Sequence, residues 1–316
     1  MTAPITLRAG ACEVDLHPAI GGSIGRFTWR HPDGRLVDLL RPMHARALAD
    51  RQSEGAACFP LLPFSNRIRD SRFSFEGEEF NLPRNTSGPH VEHGHGWQRP
   101  WSTLAMTERA ATIGIVHDPA ADTTWPFAYA AEQRFRLDAD SLEITISARN
   151  LDSRRMPIGV GLHPYFPRTP MCRLQADVAG FWESDQDVLP LRHGDIPRAF
   201  DLRPGLAMND VVVDNVFTGF QGKATITWPE CRTRLTLRAS PPLRFLTVYV
   251  PDAATSAREV AAGSMPYFCA EPVSNITDAA NLARAPRQID TGLISLAPNE
   301  EVTAHLRFEP EAIQTP

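Results

Sequence analysis

A period-two alternation of apolar and polar residues recurs along the chain, and it restricts the fold more than any other feature of the sequence. In Leu142–Ala148 every second residue is apolar, and the residues between are acidic or hydroxylated. Successive side chains of a strand point to opposite faces, so this pattern predicts a strand with one buried face. Similar runs occur at Phe73–Phe75, Ala224–Trp228, Arg234–Arg238, Phe245–Val250 and Thr303–Phe308.

Turn residues separate the predicted strands, and helical periodicity is scarce. The pair Glu76-Gly77, for example, follows the first of these short runs. Only His44–Gln52 and Asp278–Arg284 fit short helices. Because the strands are many and do not alternate with helices, we predict an all-β fold, a large antiparallel sandwich with few short helices. No linker or repeat divides the sequence, which predicts a single domain over residues 1–316.

Charge and cysteine content argue against several classes of protein. The net charge is −5 and Lys223 is the only lysine, which disfavours both nonspecific nucleic-acid binding and a polybasic membrane surface. The amino terminus lacks the apolar stretch of a secretory signal, and no apolar run is long enough to span a membrane. The five cysteines are scattered, as is typical of reduced thiols. We expect a cytoplasmic protein without nucleic-acid or membrane partners.

Residues 59–70 are the first of four places where ionisable residues interrupt an apolar or proline-rich stretch. Asn66 and Arg67 follow two prolines and an apolar run that has to be packed. The guanidinium of Arg67 offers five donors in a rigid fork, which suits several hydroxyls or a carboxylate. The alternative is a surface arginine at the end of a strand.

Three histidines lie close together between His90 and Trp101. His93 and His95 would share one face of an extended segment, as two metal ligands do. No carboxylate follows at the spacing that such a site requires, and the HExxH pattern of zinc proteases is absent. We therefore predict no metal ion here, with a metal-dependent β-sandwich enzyme as the alternative. Trp97 offers either an aromatic wall for a ligand or simple core packing.

Three further residues stand alone in apolar surroundings. His163 lies in an apolar run that ends at a proline, Glu271 closes another such run, and Asp214 follows three valines. Burial would raise the pKa of Glu271 towards that of a general base, although a hydrogen-bonded structural role is the alternative for each. Motifs for a nucleophilic serine, a phosphate loop and a dinucleotide are absent. The remaining groups support proton transfer on a polyhydroxylated ligand, without a cofactor.

Five motifs, in this order, resemble those of the aldose 1-epimerase (galactose mutarotase) family, and the resemblance extends from about Gly21 to the end of the chain. The motifs are Asn66-Arg67-Ile68, His93-Gly94, His163-Pro164-Tyr165-Phe166, Asp214 with Phe217, and Glu271-Pro272. The spacing from His93 to Trp101 is most similar to the branch that includes hexose-6-phosphate epimerases. The resemblance implies a single β-supersandwich domain with a cleft on one sheet.

The resemblance also implies a role for each matched residue. His163 would be the general acid and Glu271 the general base of sugar-ring opening. Substrate binding is assigned to the other matched residues and to two neighbours of His93, namely Asn66, Arg67, His93, Asp214, His95 and Trp97. Neither a cofactor nor a metal is implied. The expected partner is a small sugar, bound by a monomer or a homodimer.

The identity of the sugar stays open. Better-known members carry a substrate-binding glutamine where residues 244–249 read Arg-Phe-Leu-Thr-Val-Tyr, so galactose is not implied. Arg69, Arg72 and Arg99 lie near the motif residues in sequence, which leaves a phosphorylated or acidic sugar open. The alternatives to a mutarotase of free hexoses are a hexose-phosphate 1-epimerase and a noncatalytic sugar-binding or regulatory protein on the same fold.

Overall fold

Two large antiparallel sheets make up most of the protein. The structure is a computed structural model that describes residues 4–284 and 289–314. Within those residues one sheet has eleven strands, the other has nine, and three two-stranded ladders accompany them. This confirms the predicted all-β antiparallel sandwich.

The elements fall at the following positions along the chain. The strands are β1 Ile5–Ala9, β2 Cys12–His17, β3 Ser23–Arg30, β4 Leu36–Asp38, β5 Cys58–Leu61, β6 Arg67–Ile68, β7 Arg72–Phe75, β8 Glu78–Asn81, β9 Val91–Glu92, β10 Ser102–Met106, β11 Ala110–His117, β12 Tyr129–Asp138, β13 Ser141–Asn150, β14 Met156–Ile158, β15 Gly161–Pro167, β16 Arg173–Ala176, β17 Gly180–Ser184, β18 Pro190–Gly194, β19 Leu206–Ala207, β20 Val213–Thr218, β21 Lys223–Trp228, β22 Thr233–Ala239, β23 Phe245–Val250, β24 Tyr267–Val273, β25 Ile294–Leu296 and β26 Glu301–Ala312. The α-helices are α1 Ala45–Asp50, α2 Ala253–Ala261 and α3 Ala279–Leu282. Short 3₁₀ turns lie at Ser53–Gly55, Arg69–Ser71, Gly96–Gln98, Arg198–Phe200 and Pro229–Cys231.

The strand order brings distant parts of the chain together in the middle of the larger sheet. That sheet runs β1-β2-β3-β5-β15-β24-β23-β20-β17-β18, with β4 paired to β3. The smaller sheet runs β10-β11-β12-β13-β26-β22-β21-β16-β19. β5, β15 and β24 are therefore neighbours, although long stretches of sequence separate them.

The inner faces of the two sheets share one apolar core. Phe27 of the larger sheet packs against Phe308 of the smaller one, with ring centroids 6.2 Å apart. β12 alternates between buried and more exposed positions, as expected of a strand with one face on the core. β15 and β24 are buried on both faces. One of those faces lies on the core, and the other forms part of the floor of a cleft.

Two of the three helices are where the sequence predicts them. α1 and α3 confirm the short helices expected at His44–Gln52 and Asp278–Arg284. α2 was not predicted; its sequence is alanine-rich, and none of its residues is buried. Asp252 caps it by accepting a hydrogen bond from the Thr255 N–H at 2.6 Å. None of the helices in the described ranges has the length and apolar content that crossing a membrane requires.

Candidate active site

Adjacent strands of the larger sheet form the floor of a cleft of about 390 Å³. The register sets His163 on β15 opposite Phe59 on β5, and Glu271 on β24 opposite Thr247 on β23. β20 adds Asp214 to the same lining. Alternate residues of a strand share a face, so these side chains all point away from the core. The floor thus gathers residues from five separate segments of the sequence.

His163 and Glu271 form a buried pair on this floor. Nε2 of His163 lies 3.2 Å from Oε1 of Glu271, and the two side chains are 8% and 3% exposed. Burial raises the pKa of the Glu271 carboxyl well above its ordinary value, and the carboxylates of Asp214 and Glu92 raise it further. Burial likewise lowers the pKa of His163 well below its ordinary value. Both shifts favour the neutral form of each group, so burial favours a pair in which a single shared proton lies on Glu271 and not on His163.

An aromatic stack fixes the plane of the His163 imidazole. Its ring stacks on both Phe59 and Tyr165, with centroids 4.6 and 4.7 Å away, and those two rings lie 5.9 Å from each other. The guanidinium carbon of Arg41 follows, 4.1 Å from the centroid of the Tyr165 ring. Arg41 is fully buried, and its charge adds to the effect of burial in lowering the pKa of His163. The stack therefore holds Nε2 of His163 towards Glu271.

Two hydrogen bonds hold Asn66 and His93 together at one wall of the cleft. The Asn66 N–H donates to Nδ1 of His93 at 3.0 Å, and the His93 N–H donates to the Asn66 carbonyl at 2.7 Å. Both residues have a left-handed backbone, with φ of 60° and 58°, which is uncommon outside glycine and recurs at functional sites. Burial lowers the pKa of His93 to about 3. Since Nδ1 accepts a hydrogen bond, the neutral ring carries its proton on Nε2 and can donate it to a ligand.

Arg67 lies opposite Glu92 in the short ladder between β6 and β9. Its Nη2 is 2.9 Å from Oε1 of Glu92, and its Nη1 is 3.9 Å from Oδ2 of Asp214. Burial raises the pKa of Asp214 to about 6, although the charge of Arg67 acts in the opposite direction. One guanidinium thus joins two carboxylates along the side of the cleft.

His95 lies apart from its neighbour His93. Its Nε2 is 2.9 Å from the hydroxyl of Tyr129 on β12, and its ring centroid is 4.5 Å from that of His117 on β11. Both of those strands belong to the smaller sheet. His95 was predicted to bind substrate, but it is not among the described residues that line the cleft.

Gly94 accounts for this separation. Its φ is 66°, and a Cβ at this position would overlap the carbonyl oxygen of Leu62. The backbone therefore turns between His93 and His95 instead of continuing in the extended form. The two histidines would share a face only in an extended segment, and the turn at Gly94 removes that condition.

Trp97 lies in the cleft wall as predicted, but most of it is covered. Its ring stacks on Phe59 with centroids 5.3 Å apart, and its Nε1 donates to the Gly94 carbonyl at 3.1 Å. Only 4% of its surface is exposed. Its main contact is with Phe59, the residue that also stacks on His163.

Comparison with known proteins identifies the family. Residues 4–309 match the family model described as Aldose 1-epimerase. The chain belongs to this family. The uncharacterized protein YphB of Escherichia coli K12 is 30% identical to this chain over 308 residues, which are 97% of this chain and 98% of that protein. The resemblance carried by the five motifs is confirmed.

Crystal structures of similar proteins share the aldose 1-epimerase fold. A protein of Escherichia coli K12 has a TM-score of 0.85 at 29% identity, covering 98% of this chain and 99% of that one. A galactose mutarotase-like protein from Clostridium acetobutylicum has a TM-score of 0.82 at 21% identity, with coverages of 98% and 95%. The galactose 1-epimerase of Lactobacillus acidophilus NCFM has a TM-score of 0.78 at 17% identity, again with 98% and 95%. These likenesses confirm the predicted fold.

In this aldose 1-epimerase family member, every predicted site residue except His95 lines the one cleft. Several lining residues were not predicted. Tyr165 and Tyr267 lie two and four positions from a predicted residue on the same strand, so the period of two could have found them. Glu92 had no such signal, since its place follows from the pairing of β9 with β6.

The arginines that left an acidic sugar open do not reach the cleft. Arg69 lies 3.6 Å from Asp278, and Arg99 lies 2.7 Å from Asp122. Neither of them lines the cleft, nor does Arg72, among the residues that the structure describes. The cleft gains no positive charge from these three side chains.

One group that includes two residues of the cleft floor has the spacing of a metal site. The ligand atoms of His163, Cys269 and Glu271 all lie within 4.8 Å of one another. Cys269 is fully buried, and burial raises the pKa of its thiol well above the ordinary value. A thiol that stays protonated is a poor metal ligand, because metals bind the thiolate. The expectation of metal-free chemistry therefore calls for a direct test.

Proposed function

We propose that this protein is a mutarotase, which interconverts the α and β anomers of a hexose or hexose derivative by opening and closing the ring. The observation that carries the proposal is the buried pair of His163 Nε2 and Glu271 Oε1, 3.2 Å apart on the floor of the cleft. The ring oxygen and the anomeric hydroxyl of a sugar are bonded to the same carbon. Two proton-transfer groups this close together can therefore reach both oxygens at once.

Ring opening requires one proton transfer at each of these oxygens. The reactive form of the pair carries its one proton on His163. In that form the Glu271 carboxylate accepts the proton of the anomeric hydroxyl while the His163 imidazolium donates a proton to the ring oxygen. The bond between C1 and the ring oxygen breaks, and C1 becomes the carbonyl carbon of the open chain. The pair still holds one proton, now on Glu271. That is the distribution which burial favours, so the cleft supports the protonation state of the open-chain intermediate.

Ring closure reverses these transfers after rotation about the C1–C2 bond. The rotation presents the other face of the carbonyl to the C5 hydroxyl. His163 accepts the proton of that hydroxyl, and Glu271 returns its proton to the carbonyl oxygen. The product is the other anomer, and the pair regains its starting state. No cofactor or metal takes part in the proposed reaction.

The walls of the cleft would hold the sugar in place during these steps. Arg67 and the Nε2–H of His93 offer donors to sugar oxygens, and the carboxylate of Asp214 accepts from sugar hydroxyls. Orienting groups of this kind can supply a large part of the rate enhancement. The proposed partner is a small sugar, without nucleic acid or membrane, bound in the cytoplasm by a monomer or homodimer.

The experiment that tests this function is polarimetry on freshly dissolved single anomers. A panel of neutral aldoses, sugar phosphates and hexuronic acids is followed with the wild-type protein and with Glu271→Gln. We expect the wild type to accelerate the approach to anomeric equilibrium for at least one sugar, and the variant to lose most of that acceleration. Saturable sugar binding without acceleration would instead support a noncatalytic binding protein.

A further inference from the structure

Carboxylates outnumber cations in the lining of the cleft. Five acidic and two basic side chains line it among the described residues: Glu54, Glu92, Asp214, Glu259 and Glu271, with Arg46 and Arg67. Three histidines also contribute, His44, His93 and His163, and burial lowers the pKa of each. The histidines therefore add little positive charge near neutral pH. Even with the shared proton on Glu271, the other four acidic side chains outnumber the two arginines, so the cleft is acidic as a whole.

Both arginines in the lining already have carboxylate partners. Nη2 of Arg67 lies 2.9 Å from Glu92, in a pair whose two side chains are only 22% and 21% exposed. Nε of Arg46, on the rim, lies 3.4 Å from Asp50. A phosphate or carboxylate that binds both terminal nitrogens of Arg67 would have to displace Glu92 from Nη2, which leaves that glutamate without its partner in a partly buried place, whereas a sugar hydroxyl needs only one N–H of Arg67.

Hydrogen-bonding capacity leads to the same conclusion. Ionised carboxylates only accept hydrogen bonds, so a cleft rich in them is satisfied by a ligand rich in donors. Each hydroxyl of a free sugar supplies one O–H donor. A phosphate dianion or a carboxylate supplies acceptors only, and it repels the carboxylates around it.

We propose that Glu92 is a specificity-determining residue, which occupies the guanidinium of Arg67 and thereby restricts this cleft to sugars without a negative charge. The inference rests on the proposed mutarotase function and concerns the same cleft. Glu92 repels an anionic ligand and keeps it from the guanidinium of Arg67, the arginine beside the catalytic pair, so it discriminates against the wrong ligand.

The test compares four proteins on a matched pair of sugars. The wild type, Glu92→Gln, Glu92→Asp and Glu143→Gln are assayed at low and high ionic strength. The substrates are a neutral hexose that the wild type accelerates, and the 6-phosphate of that hexose. Glu143 is the matched control, because it is a glutamate 2.8 Å from Arg307 in the smaller sheet, away from the cleft. The readout is the ratio of kcat/KM for the neutral sugar to that for the phosphate.

For the wild type, kcat/KM for the neutral sugar should exceed kcat/KM for the phosphate by about tenfold or more at low ionic strength. This ratio should fall when salt is added, because salt screens the repulsion between the phosphate and the carboxylates. Glu92→Gln should lower this ratio by about tenfold, even if the rates with both sugars change, because Arg67 becomes available to the anion. Glu92→Asp, which keeps the charge, and Glu143→Gln should both retain the wild-type ratio.

Three results would overturn the inference while leaving the mutarotase intact. They are a wild type that accepts the phosphate as well as the neutral hexose, a Glu92→Gln variant with the wild-type ratio, and a Glu92→Asp variant that loses the discrimination. Absence of acceleration for every sugar in the panel would overturn the proposed function itself, and this inference with it.

Discussion

His93 and His95 are two residues apart in sequence, yet they belong to different regions of the molecule, and their exposed fractions are 12% and 2%. His93 lines the cleft, where its ring centroid is 5.1 Å from that of His163. His95 points to the smaller sheet and pairs with the hydroxyl of Tyr129. Burial lowers the pKa of both to about 3. A strongly shifted pKa therefore does not by itself distinguish a binding residue from a structural one, whereas contact with the cleft does.

Substitutions in these two regions should therefore have different effects on catalysis and on stability. Substitutions in the cleft, around His163 and Glu271, should reduce catalysis or sugar binding with little loss of stability. Substitutions in the cluster around His95 should reduce stability and leave catalysis nearly unchanged. Kinetic and unfolding measurements on the same variants would show whether the two regions differ in this way.

The largest effect is expected from the proton-transfer pair. Glu271→Gln and His163→Asn should each lower kcat by about 10²–10⁴-fold, because each removes one of the two transfers. The double variant should be scarcely slower than either single one, since the two groups act as a unit. Polarimetric kcat values measure this effect, with thermal unfolding to check that the fold is kept. Near-normal turnover by Glu271→Gln would make Asp214 the next candidate for the base.

The next effect concerns binding by Arg67. Arg67→Ala should raise KM by about tenfold or more, because two carboxylates and the sugar lose a shared donor. Arg67→Lys should not restore KM, since an ammonium lacks the planar fork that reaches several acceptors together. Steady-state kinetics on the preferred sugar provides the measurement. If the lysine variant is fully active, Arg67 contributes only its charge, and the geometric account of this wall is wrong.

The third prediction compares the two histidines directly. His95→Phe should lower the free energy of unfolding by about 1–3 kcal/mol, because the buried Tyr129 hydroxyl loses its partner. His95→Phe combined with Tyr129→Phe should cost less than the sum of the single changes, as both partners are then apolar. His93→Phe should instead raise KM. Chemical denaturation measures the change in stability, and steady-state kinetics on the same preparations measures the change in KM. A large increase in KM for His95→Phe would show that His95 does contribute to substrate binding.

The smallest expected effect is that of a chelator. Extended treatment with a strong chelator should leave kcat unchanged, although His163, Cys269 and Glu271 have the spacing of a metal site. The matched control is Cys269→Ser, which removes the soft ligand. Activity that chelation abolishes and added metal restores would show that the pair works through a metal ion.

The strands of this fold are predictable from sequence, and their order is not. Alternation along residues 142–148 locates β13 because a strand with one buried face repeats locally every two residues. The adjacency of β5, β15 and β24 depends on contacts between distant segments, which leave no local pattern. Helix α2 is also not predicted from the sequence, and none of its residues is buried.

The site was predictable to the extent that its residues stand out locally. His163 and Glu271 are ionisable groups in apolar strands, and their order along the chain supported the family resemblance. Glu92 is an ordinary acid in sequence and becomes important only because its strand pairs with that of Arg67. His95 was misplaced since a glycine turn, not strand geometry, sets its direction.

The pH dependence of kcat/KM is the most direct test of the shared-proton pair. Burial lowers the pKa of His163 from its ordinary 6.5, so the second proton is gained only in more acidic solution, and the acid limb should lie below 6.5. Burial raises the pKa of Glu271 from its ordinary 4.5, so the last proton is lost only in more alkaline solution, and the alkaline limb should lie well above 4.5. Asp214 titrates with a pKa raised to about 6, so Asp214→Asn is measured in parallel.

We expect a broad bell-shaped pH profile of kcat/KM for the wild type, and we expect Asp214→Asn to retain it. The residual activity of His163→Asn should lack the acid limb, and that of Glu271→Gln should lack the alkaline limb. A profile without an alkaline limb, or one in which Glu271→Gln leaves both limbs in place, would contradict the claim that these two residues share the proton that opens the ring.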